Sequence, residues 1–301
     1  MTIWKLTALA PKPQVQAALL AQDEIEDWDA DFVISGSEIA EDRPQDWQLE
    51  GWLPRKPGTK EKRALASLFG GDAPDLTIEK LPDEDWLTLS QQGTQPIRAG
   101  IFHVHTPDFP AEAGAIDFVI PASQAFGTGQ HNTTAGCLEM LGAIANTGAC
   151  FRRVADIGTG TGLLGFAALK LWPAAEVTAS DIDPVCAGVI EDNAALNDIA
   201  IGPQRGAMTM VVADGMDDPL LQQRGPYDLL IANILAGPLV ELAPDFGKAV
   251  APRGSLVLAG LLAGEQEQAV RRACRRAGFR LTARLQRGDW AILWLRRRYV
   301  R

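Results

Sequence analysis

The sequence predicts an α/β protein with a large C-terminal part built on a parallel sheet, closed by an antiparallel hairpin, and preceded by a small α+β part. From Val154 onward, strand-like and helix-like segments alternate, which is typical of a parallel sheet with helices on both faces. The last two strand-like segments are separated by only two residues, which indicates a hairpin. Residues 1–95 instead carry short apolar stretches broken by proline, glycine and acidic clusters.

The elements of the larger part are predicted in a regular order. They are the strand VADI, a helix over 162–171, the strand EVTAS, a helix over 184–196, the strand MTMVVA, the strand YDLLIAN, a helix over 238–250, the strand GSLVLAG and a helix over 265–277. The segments FRLTARLQ and DWAILWLRRR follow, with Arg287-Gly288 predicted as the turn between them. The last strand should therefore run antiparallel to the rest of the sheet.

Length and composition set broad limits. The chain has 301 residues, 47% of them hydrophobic and 22% charged, which is typical of a globular protein with one large domain or two ordinary ones. No apolar run approaches the ~20 residues that cross a bilayer, and the N-terminal segment lacks the pattern of a signal peptide. We therefore expect a cytoplasmic protein with no membrane partner.

The cysteines and the charges exclude several classes of protein. Cys137, Cys150, Cys186 and Cys274 lie far apart with no C-x-x-C pair, so we expect core thiols and no metal site. Residues 1–270 carry 37 of the 38 acidic residues, whereas residues 271–301 carry 11 arginines. The acidic body argues against nucleic-acid binding and suits a basic partner. The basic tail is predicted as a solvated helix and two strands, with RNA contact as the alternative.

The stretch VADIGTGTGLLG raises the question of which ligand its glycine-rich loop holds. It matches G-x-G-x-x-G, so a nicotinamide-dependent dehydrogenase is one interpretation. However, the strand should end at about Ile157, which makes Gly158, Gly160 and Gly162 the loop glycines and places Gly165 inside the helix. The glycine pattern alone therefore gives weak support to a dinucleotide site.

Asp156 favours a different ligand. A carboxylate two residues before the first loop glycine would repel a pyrophosphate in a partly desolvated cleft, whereas it would attract a cation. S-adenosylmethionine is such a ligand, because it carries a sulfonium and an ammonium group. Its ribose needs an acceptor at the end of the next strand, where ASDIDP places Asp181. Asp183, followed by Pro184, fits a helix N-cap.

Two further segments supply candidate site residues. Asn233 follows the strand YDLLIA, at the carboxyl end of the sheet where ligands bind, and is a candidate for holding an acceptor amine. Upstream, FGTGQHNTT precedes a helix and contains Thr128 and His131. This loop is predicted to fold over the cofactor as a lid, with an N-cap at Asn132 or Thr133 as the simpler interpretation.

Four motifs in order, FGTGQHNTT, VADIGTGTG, ASDIDP and ANILAGPL, resemble the ribosomal protein L-11 methyltransferase family over about Pro121 to Gly260. The family consists of class I enzymes that use S-adenosylmethionine, so the resemblance implies a Rossmann-like methyltransferase sheet. It also implies a substrate-recognition domain at 1–95, a junction at 96–120 and a cofactor-binding domain at 121–301. The sequence departs from the family at Asn132, where proline is usual, and after Trp86, where an aromatic residue and an asparagine are usual.

The resemblance implies which residues bind the cofactor. They are Thr134, Gly158, Asp181 and Asn233, together with Asp156, Gly160 and Thr128 as weaker assignments.

The resemblance implies methyl transfer to lysine side-chain and N-terminal amines of ribosomal protein L-11. Such an amine, with a pKa of ~10.4 for lysine, must lose a proton before it attacks. His131 is the one histidine in a motif, but we expect it to be a lid residue and the proton to pass to water, with Asn233 aligning the amine. Two alternatives stay open: a lysine methyltransferase of the electron-transfer flavoprotein β-subunit, and a cofactor-binding RNA-associated factor without transfer activity.

Overall fold

The fold is described from a computed structural model, which describes residues 3–23, 25, 28–29, 31–39, 43, 45–70, 73–80, 95–121 and 132–299. The chain divides into two compact units, Met1–Leu89 and Ser90–Arg301. No helix among these described residues is long and apolar enough to cross a membrane.

The N-terminal unit is a four-stranded antiparallel sheet with two helices. Its strands are β1 (Trp4–Pro11), β2 (Val33–Glu38), β3 (Asp46–Leu53) and β4 (Leu76–Lys80), in the order β2-β3-β1-β4. The helices are α1 (Lys12–Asp23) and α2 (Thr59–Ser67). Leu6 of β1 and Leu49 of β3 are fully buried with Val15 and Leu65 of the helices. The expected α+β architecture of this region is confirmed.

The second unit begins with a small sheet. Its strands β5 (Ile97–Ala99), β6 (Phe102–His105) and β7 (Ile116–Val119) pair in the order β5-β6-β7, with β6 and β7 parallel. Phe102 and Phe118 are fully buried in the same core as the larger sheet. Residues expected to form a junction are therefore a folded part of this unit, and the functional domain boundaries at 95 and 120 stay a prediction.

The larger sheet has eight strands in the order β10-β11-β9-β8-β12-β13-β15-β14. They are β8 (Arg153–Ile157), β9 (Glu176–Asp181), β10 (Ala200–Ile201), β11 (Ala207–Val212), β12 (Tyr227–Asn233), β13 (Val250–Leu262), β14 (Phe279–Arg287) and β15 (Trp290–Arg297). The pairings from β10 to β13 are parallel, and β15 is antiparallel to both of its neighbours. The predicted sheet and closing hairpin are confirmed.

Six helices accompany this sheet in the described part of the second unit. They are α3 (Asn132–Asn146), α4 (Leu163–Leu171), α5 (Val185–Leu196), α6 (Pro219–Arg224), α7 (Ala236–Ala249) and α8 (Glu265–Arg276). The short strand β10 and the short helix α6 were not predicted, because two and six residues are too few to show a periodic pattern. The hairpin turn is Gly288-Asp289, one residue later than predicted, because Arg287 still pairs with Trp290.

Alternate residues of the central strands belong to two different cores. Val154 and Ile231 lie in one core with residues of α3, α4 and α5, whereas Ala155 and Leu230 lie in the other with residues of α6, α7 and α8. Because successive side chains of a strand point to opposite faces, the sheet is covered on both faces. Each buried Leu or Ile stabilises the fold by ~1.5–3 kcal/mol.

The cysteines differ in part from the expectation. Cys137, Cys186 and Cys274 are buried, as expected of core thiols, but Cys150 is exposed. Cys150 is exposed because it lies in the connection between α3 and β8, and such connections usually run over the protein surface.

The substitution Gly136→Ala is expected to lower the free energy of unfolding by about 1–3 kcal/mol. A Cβ at this buried position of α3 would lie 2.4 Å from Cδ1 of Ile292 on β15, so the buried Ile292 side chain, the helix or the hairpin must shift. The urea midpoint of the full chain measures the effect. Gly188→Ala in α5 is the matched control: its Cβ would meet no heavy atom within 4 Å, so it should stabilise by ~1 kcal/mol. Similar stabilisation by both variants would contradict the close packing of α3 on β15.

Candidate active site

The carboxyl ends of the central strands open onto a cleft of about 590 Å³. β8 lies between β9 and β12, so the strand order reverses beside it, and open α/β sheets bind ligands at such a reversal. The cleft is lined by residues that include Thr133, Gly158, Gly160, Asp181, Asp183, Cys186, Asp214, Asn233, Ile234, Leu235, Gly260 and Trp290. Four of the predicted cofactor-binding residues, Gly158, Gly160, Asp181 and Asn233, therefore border one cavity.

The loop after β8 brings bare backbone to the cleft. Gly158, Gly160 and Gly162 have φ values of 67°, 56° and 85°, a region in which L side chains are strained. A Cβ on Gly158 would also lie 2.2 Å from Cγ2 of Ile234. The carbonyl of Ser180 fixes the loop by accepting hydrogen bonds from the N–H groups of Gly158 and Thr159, at 2.8 and 3.0 Å. The three predicted loop glycines are thus the residues that the turn requires.

Asp181 ends β9 with its carboxylate at the edge of this loop. Oδ2 accepts a hydrogen bond from the N–H of Gly160 at 2.8 Å, and Oδ1 accepts one from the N–H of Asp183 at 3.1 Å. A carboxylate has about four lone-pair positions, so two remain for a ligand. Asp181 is therefore anchored by the backbone and still able to accept two hydroxyl hydrogen bonds.

Asp183 lies just before α5. Its Oδ1 accepts a hydrogen bond from the N–H of Val185 at 2.9 Å, and Pro184 has helical dihedral angles of −63° and −20°. The predicted contact of the Asp183 carboxylate with the start of the helix is present, but the N-cap position is Pro184 and the helix begins at Val185, one residue later than predicted.

Asp156 is buried at the base of the loop, with an exposed fraction of 1%. Its Oδ2 accepts hydrogen bonds from Oγ1 of Thr159 at 2.7 Å and from the N–H of Gly165 at 2.9 Å, whereas Oδ1 has no partner among the described residues. Burial raises the pKa of Asp156 to about 7, and the charge of Asp181 adds to the rise. Asp156 thus fixes the loop to α4, and its contact with a cofactor stays a prediction.

Asn233 lines the cleft and is hydrogen-bonded to Thr134, which lies behind it and not among the lining residues, although 99 positions separate the two in the chain. Nδ2 of Asn233 donates to Oγ1 of Thr134 at 3.0 Å, and both residues are buried, with exposed fractions of 6% and 1%. Oδ1 of Asn233 has no partner among the described residues. The hydroxyl therefore fixes the amide orientation and leaves the amide oxygen to accept a hydrogen bond.

Gly260, Trp290 and Cys186 line the cleft but were not predicted. At Gly260, φ is 86° and a Cβ would lie 2.1 Å from the carbonyl oxygen of Ile234, so only glycine allows the backbone after β12 to approach β13. Its place at the end of the strand GSLVLAG was the available signal. Burial raises the pKa of the Cys186 thiol to about 12, so it stays protonated and does not act as a nucleophile.

Thr128 and His131 lie outside the described residues, so their predicted roles in a lid remain predictions.

Three comparisons with known proteins all find matches to ribosomal protein L11 methyltransferases. The family model described as Ribosomal protein L11 methyltransferase (PrmA) matches residues 22–298. The ribosomal protein L11 methyltransferase of Rhizobium meliloti (strain 1021) is 38% identical over 271 residues, which cover 89% of this chain and 90% of that protein. The one of Sinorhizobium fredii (strain NBRC 101917 / NGR234) is 40% identical over 239 residues, covering 78% and 79%. The crystal structure of a ribosomal protein L11 methylase from Lactobacillus delbrueckii subsp. bulgaricus superposes with a TM-score of 0.55 at 26% identity, covering 68% of this chain and 99% of that chain.

The stability of the ligand-free protein is expected to depend on Asp156 between about pH 4 and pH 7. The carboxyl releases its proton near pH 3.8 when unfolded and near pH 7 when folded, so in this window the folded state holds more protons. Stability should therefore fall as the pH rises, by at most ~1.4 kcal/mol per pH unit. Urea unfolding across this window should show that Asp156→Asn removes this component of the slope. The same slope in both proteins would contradict the raised pKa.

Proposed function

Because the chain belongs to the ribosomal protein L11 methyltransferase family, we propose that it transfers methyl groups from S-adenosylmethionine to lysine side-chain and N-terminal amines of ribosomal protein L11. The observation that carries the proposal is the Asn233 amide: Thr134 holds it beside the cleft, and its oxygen has no hydrogen-bond partner in the part of the chain that the structure describes. An amide oxygen accepts a hydrogen bond from an amine and can direct its lone pair.

The cleft fits the cofactor that the family uses. S-adenosylmethionine supplies a methyl group on a positively charged sulfonium. The carboxylate of Asp181 has two acceptor positions for the ribose hydroxyls, and the glycines at 158 and 160 let backbone lie against the ligand without a side chain between them. Asp181, Asp183 and Asp214 line the cleft without a lysine or arginine among the described lining residues. This charge favours a cationic cofactor and disfavours the pyrophosphate of a nicotinamide dinucleotide.

The protein contributes positioning rather than a dedicated base. The described residues that line the cleft include no histidine, and the Cys186 thiol is held protonated. A lysine amine, with an ordinary pKa of ~10.4, therefore releases its proton to water before it attacks the methyl carbon. Asn233 accepts a hydrogen bond from the neutral amine and aligns it. Well-oriented reacting groups supply a large part of the barrier reduction in such transfers.

The negative charge of most of the chain suits a basic protein substrate. We propose that the two meet in the cytoplasm. Residues 1–270 carry 37 acidic and 17 basic residues, a net negative body that would speed the encounter with a basic ribosomal protein. In this proposal residues 1–95 recognise the substrate and residues 121–301 hold the cofactor, with 96–120 between them.

Incubation of the full chain with S-adenosylmethionine and purified ribosomal protein L11 should add multiples of one methyl mass to that protein. Asp181→Ala should abolish transfer and weaken binding of S-adenosylhomocysteine at least tenfold, because it removes the ribose acceptors. Intact-mass spectrometry and calorimetric titration measure the two effects. Asp245→Ala, an exposed aspartate paired with Lys248, is the matched control and should keep both.

Other outcomes of this experiment identify the alternatives. Methylation of the electron-transfer flavoprotein β-subunit alone would keep the enzyme class and overturn the substrate. Cofactor binding without any transfer, together with a salt-sensitive RNA complex, would indicate the RNA-associated factor. Failure to bind S-adenosylhomocysteine would overturn the cofactor assignment itself.

Thr134 is expected to act as a positioning residue for Asn233. Thr134→Val removes the hydroxyl that holds the amide, so kcat should fall about tenfold, and Thr134→Ser, which keeps the hydroxyl, should retain most of it. Asn233→Ala should lower kcat about 100-fold. Steady-state kinetics with ribosomal protein L11 separate kcat from KM. Equal losses for the valine and serine variants would show that packing, not the hydrogen bond, is what matters at this position.

A further inference from the structure

Two histidines and an aspartate converge in the small sheet of the second unit, apart from the cleft. His103 and His105 lie two residues apart on β6, so their side chains share one face, and Asp117 pairs with His103 on the neighbouring strand β7. Nδ1 of His103 lies 2.6 Å from Oδ1 of Asp117, and Nε2 of His105 lies 2.8 Å from Oδ2. Both histidines are 6% exposed.

The hydrogen bonds of His105 leave one nitrogen–oxygen contact that needs a proton or a metal ion. Its Nδ1 lies 2.6 Å from the backbone carbonyl of Thr106, and a carbonyl only accepts, so Nδ1 carries a hydrogen. In a neutral imidazole Nε2 is then a bare acceptor, and it faces a carboxylate oxygen at 2.8 Å. Two acceptors at this separation repel each other unless a proton or a metal ion lies between them.

The surroundings favour a metal ion. One ligand atom from each of His103, His105 and Asp117 lies within 4.8 Å of the other two, so all three can reach a single ion. The contact between His105 and the Thr106 carbonyl is the kind of outer hydrogen bond that fixes the tautomer and orientation of metal-binding histidines. A proton would remove the repulsion between Nε2 of His105 and Oδ2 of Asp117 only. A metal ion would attract both imidazoles and the carboxylate together.

The carboxylate has room to adjust to an ion. Tetrahedral zinc, with Zn–N of ~2.0–2.1 Å, separates its ligand atoms by roughly 3.3 Å, so the Asp117 oxygens must withdraw by about half an ångström. The Asp117 side chain is 21% exposed, unlike the histidines, and is therefore the member of the cluster that can move. Glu112, whose N–H donates to Oδ1 of Asp117 at 3.2 Å, belongs to the segment that leads into β7.

From this geometry we propose that His103, His105 and Asp117 form a binding site for a divalent transition metal ion of the zinc class, with water completing the coordination. Two imidazoles and a carboxylate suit this class of ion. The ion would join β6 to β7 beside the fully buried Phe102 and Phe118, and so stabilise the start of the second unit. The proposal is independent of methyl transfer, and its test uses neither cofactor nor methyl acceptor.

The test is metal titration of the full chain in a Cys150→Ser background, which removes the exposed thiol found in the described part of the chain. After treatment with a chelator, the protein should bind one Zn²⁺ by calorimetry and should develop visible Co²⁺ bands when Co²⁺ is added. His105→Gln and Asp117→Asn should each weaken binding at least tenfold, because loss of even an outer-shell partner costs ~10–100-fold. His131→Gln, at the third histidine of the chain, should keep it.

Thermal unfolding distinguishes a folding defect from loss of the site. At one Zn²⁺ concentration, the ion should raise the unfolding temperature of the parent protein by clearly more than that of Asp117→Asn, since stabilisation of the folded state grows with the affinity for the ligand. If His105→Gln does not fold, the near-isosteric Asp117→Asn decides. Absence of binding in the parent, or equal binding in Asp117→Asn, would overturn the metal site. NMR detection of a doubly protonated His105 ring in that case would identify the cation as a proton.

Discussion

The buried carboxylate of Asp156 is the constraint on which the active-site geometry depends. Asp156 is the penultimate residue of the central strand β8, and its Oδ2 accepts hydrogen bonds from the hydroxyl of Thr159 in the loop and from the N–H of Gly165 in the first turn of α4. Strand, loop and helix are thereby joined at one group that is 1% exposed. A buried carboxyl is costly to ionise without a charged partner. A positive charge near its remaining oxygen would therefore favour the ionised form of Asp156.

The second fixed point of the cleft is the end of β9, which completes the loop from the other side. The Ser180 carbonyl and the Asp181 carboxylate together accept three consecutive N–H groups, those of residues 158, 159 and 160. A loop held in this way needs little rearrangement when a ligand binds, which reduces the entropic cost of binding. The left-handed dihedral angles of the glycines are what bring these N–H groups to one strand end.

Much of the fold could be predicted from the sequence because its signals are local. Alternation of apolar strands with helices, the glycine turn after Ile157, and the Asp183 cap each lie within a few residues of one another. The hydrogen bond between Asn233 and Thr134 spans 99 positions and depends on how α3 packs beside β12, which no local pattern encodes. The histidine cluster was missed for the same reason: the H-x-H spacing was visible in FHVH, but its aspartate arrives through the parallel pairing of β6 with β7.

The C-terminal hairpin belongs to the basic tail, and several of its arginines contact other parts of the second unit. Arg284 makes a bidentate contact with the buried Glu267, at 2.9 and 2.8 Å, and Arg287 pairs with Glu139 of α3 at 3.2 Å. Arg296 donates to the backbone carbonyl of Arg253, so several tail arginines make contacts inside the unit.

The same hairpin packs against the helix that carries Thr134, the hydrogen-bond partner of the Asn233 amide. Ile292 lies against Gly136, one half-turn of α3 beyond Thr134, whose hydroxyl orients Asn233. A side chain at Gly136 would collide with Ile292, so the close approach of α3 and the hairpin depends on this glycine and helps to set the position of Thr134. Trp290, at the start of β15, lines the cleft itself. The antiparallel hairpin is therefore part of the framework that orients the Asn233 amide, and the ion pairs and hydrogen bonds of Arg284, Arg287 and Arg296 hold the hairpin to the rest of the unit.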